Sequence, residues 1–162
     1  NVSSVKVSGF EGEVSYQYKD DLRVLVNCSY QDARDMNRYK DDGKPSITYN
    51  NKLPNRPWLF SNVEADYIFR DVLKNGDKLK LSYHYQYVHW FYLTWEAYGS
   101  LDGKSKIPTQ HPHNAVVSYS WKNERYNVSF GCNNLFDKEL YDNFMLQKPG
   151  RSFFAKFRIF IN

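Results

Sequence analysis

The chain has 162 residues with 22 Lys and Arg against 18 Asp and Glu; its formal net charge of +4 comes without a contiguous basic tract, which leaves no case for a nucleic-acid partner. Aromatic residues reach 18%, with 14 Tyr and 11 Phe, yet no run approaches the roughly 18 apolar residues of a helical membrane span, so that class is excluded. Cys28 and Cys132 have neither metal-ligand nor dithiol spacing and read as two small hydrophobes in strands.

In chain order, Phe10, Val14, Tyr16 and Tyr18 share one phase of a two-residue period, with Glu11, Glu13, Ser15 and Gln17 opposite. Val5 and Val7 fall in the second phase, and Gly9 between the two sets predicts a bulge or a change of environment. Leu22, Val24, Val26, Cys28 and Tyr30 then alternate with Arg23, Leu25, Asn27 and Ser29. Leu59, Val63, Ala65, Tyr67 and Phe69 oppose Asn62, Glu64, Asp66 and Arg70.

The longest alternation runs from Leu79 to Ala97, where Leu79, Leu81, Tyr83, Tyr85, Tyr87, His89, Phe91, Leu93 and Trp95 oppose Lys80, Ser82, His84 and Gln86. At roughly 3.3 Å per residue this predicts a strand near 60 Å long, against about 9 to 11 residues for one tilted membrane crossing. Ala115 to Trp121, Tyr126 to Cys132 and Phe153 to Ile161 repeat the pattern. None of these apolar phases contains Asp, Glu, Lys or Arg.

The connections alternate in length. Lys19-Asp20-Asp21, Leu73 to Asp77 and Lys122-Asn123-Glu124 are short turns, whereas about Asp32 to Pro57, Gly99 to Pro112 and Asp137 to Gly150 are long. Within the first long loop, Ser46-Ile47-Thr48-Tyr49 is a candidate hairpin arm. Short turns on one side and long loops on the other are the arrangement of antiparallel strands crossing one layer, with tyrosine and tryptophan near strand ends as interfacial girdles.

Together these features predict an all-β fold, a transmembrane antiparallel β-barrel present in part, with about seven strands. Seven is odd and a barrel must close, because free edges in hydrocarbon leave backbone groups unpaired. Upstream sequence is therefore expected to supply the remaining strands. An eight-stranded small barrel and a soluble β-sandwich or carbohydrate-binding module are the structural alternatives.

Asn133-Asn134-Leu135-Phe136-Asp137-Lys138, Tyr141 and Gln147-Lys148-Pro149-Gly150-Arg151, followed by an alternating aromatic strand, resemble the C-terminal region of TonB-dependent outer-membrane receptors. Gly9-Phe10-Glu11-Gly12-Glu13, Leu53-Pro54-Asn55-Arg56-Pro57 and the Tyr-rich segment from Tyr83 to Trp95 are similar to the last third of that family, so the likeness covers nearly the whole chain. The resemblance implies that residues 1–162 are the last seven strands of a barrel of about 22, with a plug domain and earlier strands upstream. It implies TonB-dependent import of a scarce nutrient, a ferric siderophore, haem, cobalamin or glycan, across the bacterial outer membrane, and no enzymatic activity. A channel without TonB coupling is the functional alternative. The ending Leu146-Gln147-Lys148-Pro149-Gly150-Arg151 resembles receptors of Bacteroides-like bacteria, whereas a final Asn162 departs from the terminal Phe of many outer-membrane barrels.

Expected partners are the TonB complex acting through the plug, the upstream part of the receptor, outer-membrane lipid with lipopolysaccharide, and a surface lipoprotein. No catalytic set, cofactor or metal site is expected. Candidate ligand-binding residues in outer loops and lumen are His111, His113, His84, Tyr98 and Tyr141. His111-Pro112-His113 is singled out because two imidazoles near an outer loop suit haem or a metal chelate. Asn134, Leu135, Phe136, Asp137, Pro149, Gly150 and Arg151 form the family motif, in which Gly150 is expected to need a positive φ.

Overall fold

The computed structural model describes residues 4–98 and 105–161. Part of the middle long loop and the final Asn162 lie outside them. Alternation of β-branched and aromatic residues with polar ones suits a pleated sheet that has a different solvent on each face, and the chain forms such a sheet. Strands β1 (Val5–Tyr18), β2 (Leu22–Asp35), β3 (Leu59–Arg70), β4 (Lys78–Val88), β7 (His113–Trp121), β8 (Tyr126–Asn133) and β9 (Ser152–Ile159) make one seven-stranded antiparallel sheet in chain order. Two short strands, β5 (Phe91–Tyr92) and β6 (Lys106–Ile107), form a separate arm beyond β4 and β7.

Register keeps the phases aligned across the whole sheet. Tyr16 pairs with Val24, Val24 with Ala65, Ala65 with Tyr83, Tyr83 with Ala115, Ala115 with Cys132 and Cys132 with Phe153. One step away, Ser15, Leu25, Glu64, His84 and Asn114 are aligned on the opposite face. A slip of one residue between any two strands would mix the faces, so the alternation itself specifies the pairing.

The apolar face has three zones. At the long-loop end a continuous series of ring contacts runs Phe10, Tyr30, Trp58, His89, Tyr87, His111, Tyr85, His113 and Phe136. At the short-turn end, Tyr67 meets Phe69, and Tyr119, Trp121, Tyr126 and Phe157 form a second group. Between them lie Val14, Val26, Val63, Ala65, Leu81, Val117 and Ala155. Eight residue steps separate Phe10 from Tyr18 in β1, roughly 26 Å along the strand and about 20 Å after a barrel-like tilt, comparable with the ≈ 25 Å apolar band of outer-membrane barrels.

Several expectations need correction. The strand from Leu79 does not reach Ala97: β4 ends at Val88, pairing resumes at Phe91–Tyr92, and Glu96–Tyr98 is a 3₁₀ turn. The facing segment explains the break. Pro108 and Pro112 have no N–H to donate; Gln86 N–H reaches Pro112 O, and Trp90 N–H turns to the Thr109 hydroxyl at 3.2 Å. The register nevertheless continues unchanged from Lys78↔Ser120 through Val88↔Gln110 to Phe91↔Ile107.

No bulge interrupts β1 at Gly9, since every residue from Val5 to Tyr18 has one partner in β2. Glycine is required there for another reason: a Cβ would stand 2.1 Å from Tyr30 O. Val5 and Val7 therefore share the face of Glu11 and Glu13, opposite Asp35 and Ala33. The segment from Ser46 to Tyr49 is a turn, fastened by Thr48 Oγ1 donating to Asp35 Oδ2 at 2.6 Å, and not a hairpin arm. The last strand stops at Ile159, although Phe160 N–H still donates to Arg125 O.

The sandwich alternative fails because, among the described residues, no second layer covers the apolar face: Val14 is 71% exposed and Phe153 76%. The small closed barrel fails as well, since β1 and β9 are the two edges of an open sheet. Most of the buried apolar side chains lie at the long-loop end, where Phe91, Tyr92, Ile107 and Leu140 pack away from solvent.

Candidate functional site: the polar face and the loop cap

The polar face is a lattice of side-chain hydrogen bonds between neighbouring strands. Ser29 Oγ donates to Glu11 Oε1 at 2.9 Å. Gln86 Nε2 donates to Asn62 Oδ1 at 3.2 Å, and Asn62 Nδ2 to Asn27 Oδ1 at 2.9 Å. Asp66 accepts from Ser82 at 2.6 Å and ion-pairs with Lys80 at 3.1 Å. Ser118 bonds Ser129, and Asn127 bonds Ser120, both at 2.8 Å. A cleft of about 380 Å³ opens beside Glu11, Glu13, Asn27 and Ser29. These groups satisfy one another and leave further donors and acceptors for water or a packed protein segment, as a barrel lumen does.

The three long connections interlock above the sheet. Asn55, held at a φ of 56°, donates its backbone N–H to Tyr92 O at 2.7 Å, and its amide nitrogen reaches Leu93 O at 2.8 Å and Asn143 O at 2.9 Å. Gln110, 6% exposed, accepts from Tyr141 N–H at 2.7 Å through Oε1. Tyr92 donates to Glu96 at 3.0 Å; burial and then that carboxylate push the phenol above its ordinary value. Asn55 lies in the Leu53-Pro54-Asn55-Arg56-Pro57 segment that carries part of the family resemblance, whereas nothing local marks Gln110. What makes both residues important is contact between distant loops.

The segments Asn134-Leu135-Phe136-Asp137 and Pro149-Gly150-Arg151 form a clamp at the root of the loop between β8 and β9. Asn134, with φ 52°, donates through Nδ2 to Lys138 O at 2.8 Å and accepts from Lys138 N–H at 3.0 Å, while its own N–H reaches Asn114 Oδ1. Leu135 N–H donates to His113 O at 2.7 Å. Asp137 Oδ1 accepts from Arg151 N–H at 2.7 Å. Gly150 does not have the expected positive φ, which among the described glycines belongs to Gly43 and Gly76. Its lack of a side chain matters because a Cβ would approach Asp137 Oδ1 to 2.9 Å and disturb the carboxylate that holds Arg151. Pro149 is exposed, and Phe136 lies edge-on to His113.

The candidate ligand residues are dispersed. His84 lies on the polar face, 3.3 Å from Asn114 Nδ2. His111 and His113 lie instead on the apolar face, hydrogen-bonded to Tyr85 at 3.1 Å and Tyr83 at 2.6 Å. Tyr98 is in the 3₁₀ turn and exposed. Tyr141 bonds Glu139, which raises its phenol. At the short-turn end, the Asp77 carboxylate accepts from Val72, Leu73 and Lys74 N–H and from the Tyr119 hydroxyl. Burial opposes its ionisation, but these four donors outweigh it and hold the carboxyl below its ordinary value.

The model of the family described as TonB dependent receptor-like, beta-barrel, matches residues 1–135. The chain belongs to that family. Membership places the protein in the bacterial outer membrane, in a class of receptors rather than enzymes. BauA, the ferric preacinetobactin receptor of Acinetobacter baumannii, superposes with a TM-score of 0.71 at 18% identity, over 93% of this chain and 21% of that one. P. aeruginosa FpvA bound to a heterologous pyoverdine and iron gives 0.63 at 18%, over 96% and 20%. FpvAI in complex with pyocin S2 gives 0.64 at 19%, over 96% and 19%. No curated protein matches the chain. It spans about a fifth of the length of these solved receptors, and at such identity they establish the all-β barrel fold. The family match takes in Asn134 and Leu135 but stops before Phe136, Asp137 and the Pro149-Gly150-Arg151 segment.

Proposed function

We propose that residues 1–162 form wall and outer vestibule of a receptor that imports a scarce nutrient by TonB-dependent transport, the sheet being the last seven strands of a barrel of about 22. The plug and the contact with the TonB complex belong to upstream sequence. The observation that carries this reading is the sorting of faces: one is apolar between two aromatic zones, and the other is a polar lattice suited to a water-filled lumen and a packed plug. Loop residues, with Tyr98 and Tyr141 among them, line the vestibule, and His84 faces the lumen.

A ferric siderophore leads the cargo classes because two of the solved relatives are described with ferric ligands; haem, cobalamin and glycan are the others. A surface lipoprotein is the proposed lid partner, and a Bacteroides-like bacterium the proposed source. Uptake by cells carrying the intact receptor, with each labelled cargo and with or without TonB, tests the proposal. Saturable uptake that stops without TonB supports it. Uptake that persists without TonB identifies a passive channel instead.

A further inference from the structure

On the apolar face, three tyrosines of one strand each hold one imidazole. Tyr83 Oη lies 2.6 Å from His113 Nδ1, Tyr85 Oη 3.1 Å from His111 Nδ1, and Tyr87 Oη 2.6 Å from His89 Nδ1. Tyr83, Tyr85, His111, His113 and Val63 line an open cleft of about 320 Å³. The cleft runs from Val63 and Tyr83, level with the aliphatic middle of the band, to His111 and His113 at its long-loop end, so its upper end meets the outer-leaflet headgroups and its lower end the acyl chains.

Membrane anchoring alone needs tyrosine or tryptophan and does not need histidine. The pairing has a chemical consequence. A neutral ring that accepts the tyrosine hydroxyl proton at Nδ1 carries its own proton on Nε2; a protonated ring donates from Nδ1 to the hydroxyl oxygen and carries a second proton on Nε2. Each ring then presents Nε2–H as a donor directed away from its tyrosine. Lys52 extends the row, with Nζ 4.1 Å from the Trp58 ring centre and Trp58 4.4 Å from the His89 ring centre. His111 and His113 line the cleft itself, whereas His89 lies beside it against Trp58. The aliphatic strip below, from Val63 through Ala65 and Leu81, provides a surface for acyl chains.

We propose that this cleft binds the phosphorylated headgroup of an outer-leaflet glycolipid, with His111 and His113 donating to phosphate and Tyr83 and Tyr85 fixing the two rings. The proposal rests on the membrane reading and adds one specific lipid site to it.

The test uses the intact receptor in detergent and native mass spectrometry with bisphosphorylated lipid A, its dephosphorylated form, and inorganic phosphate as competitor. The wild type is expected to retain the bisphosphorylated lipid in preference to the dephosphorylated one. The double variant His111→Gln, His113→Gln is expected to lose about a hundredfold in that retention, the loss of two hydrogen bonds to a charged group. Tyr83→Phe with Tyr85→Phe, which keeps the rings but frees the imidazoles, should lose less. Inorganic phosphate should not displace the lipid. Equal retention of both lipids, or a double variant that binds like wild type, overturns the site while leaving the membrane reading standing. Displacement by inorganic phosphate overturns a lipid headgroup as the occupant. A receptor that carries no detergent belt overturns the membrane reading and the site together.

Discussion

The seven-stranded wall and the loop cap are stabilised in opposite ways. The wall is a single layer with Val14, Phe130 and Phe153 exposed on its apolar face and an amide and carboxylate lattice on the other. The cap buries Phe91 and Ile107 almost completely and crosslinks three connections through Asn55 and Gln110. The cap carries its own small core, whereas the wall obtains its apolar environment from lipid. Substitutions should consequently have local effects in the cap and solvent-dependent effects in the wall.

The largest effect is expected at the centre of the cap. Ile107→Ala should cost about 2 to 5 kcal/mol there. Hydrogen exchange on the intact protein should show lost protection around Phe91 and Gln110 with the strands unchanged; unfolding of the wall as well would join the two regions into one cooperative unit. Next, Ala65→Arg places a cation at the middle of the apolar band and should cost about 2 to 4 kcal/mol in vesicle-folded protein. Its neighbour Glu64→Gln, on the lattice face, should stay within about 0.5 kcal/mol. Equal costs at the two positions would remove the distinction between the faces.

Gly131→Val tests packing on the lattice face. A Cβ there would lie 2.2 Å from the Phe154 ring, and the overlap should cost about 1 to 3 kcal/mol. Shortening Phe154 to Ala in the same chain should return part of the loss, which a backbone effect would not allow. The smallest effect concerns pH at the short-turn end. Because the folded Asp77 carboxyl lies below its ordinary value of 3.8, its contribution is present above that value and is lost as pH falls through the folded one. Amide protection at Val72, Leu73 and Lys74 should therefore persist from neutral pH to below 3.8 and then fall, and Asp77→Asn should abolish that step.

Much of the wall was legible because its two-residue period survives unaltered in the register: Val24, Ala65, Tyr83 and Ala115 announce one face individually and then align on it. Sequence overextended the strand from Leu79 because alternation reports side-chain direction, while pairing depends on donors in the facing segment, and Pro108 and Pro112 supply none. The cap was hardly legible. Asn55 and Gln110 act through backbone carbonyls and amides of remote loops, which no local pattern encodes. His111 and His113 were visible as a pair, but their face follows from the pairing of His113 with Tyr85. Gly150 was expected to need a positive φ; its φ is ordinary, and what a side chain there would meet is Asp137 Oδ1.

The most direct test is a spin-label scan through β3 of the intact protein in lipid vesicles, one cysteine at a time from Asn62 to Tyr67 with Cys28 and Cys132 replaced. Labels at 63, 65 and 67 should be relaxed by membrane-dissolved oxygen, and those at 62, 64 and 66 by a water-soluble nickel chelate. If oxygen and nickel reach both sets alike, the wall does not separate lipid from water.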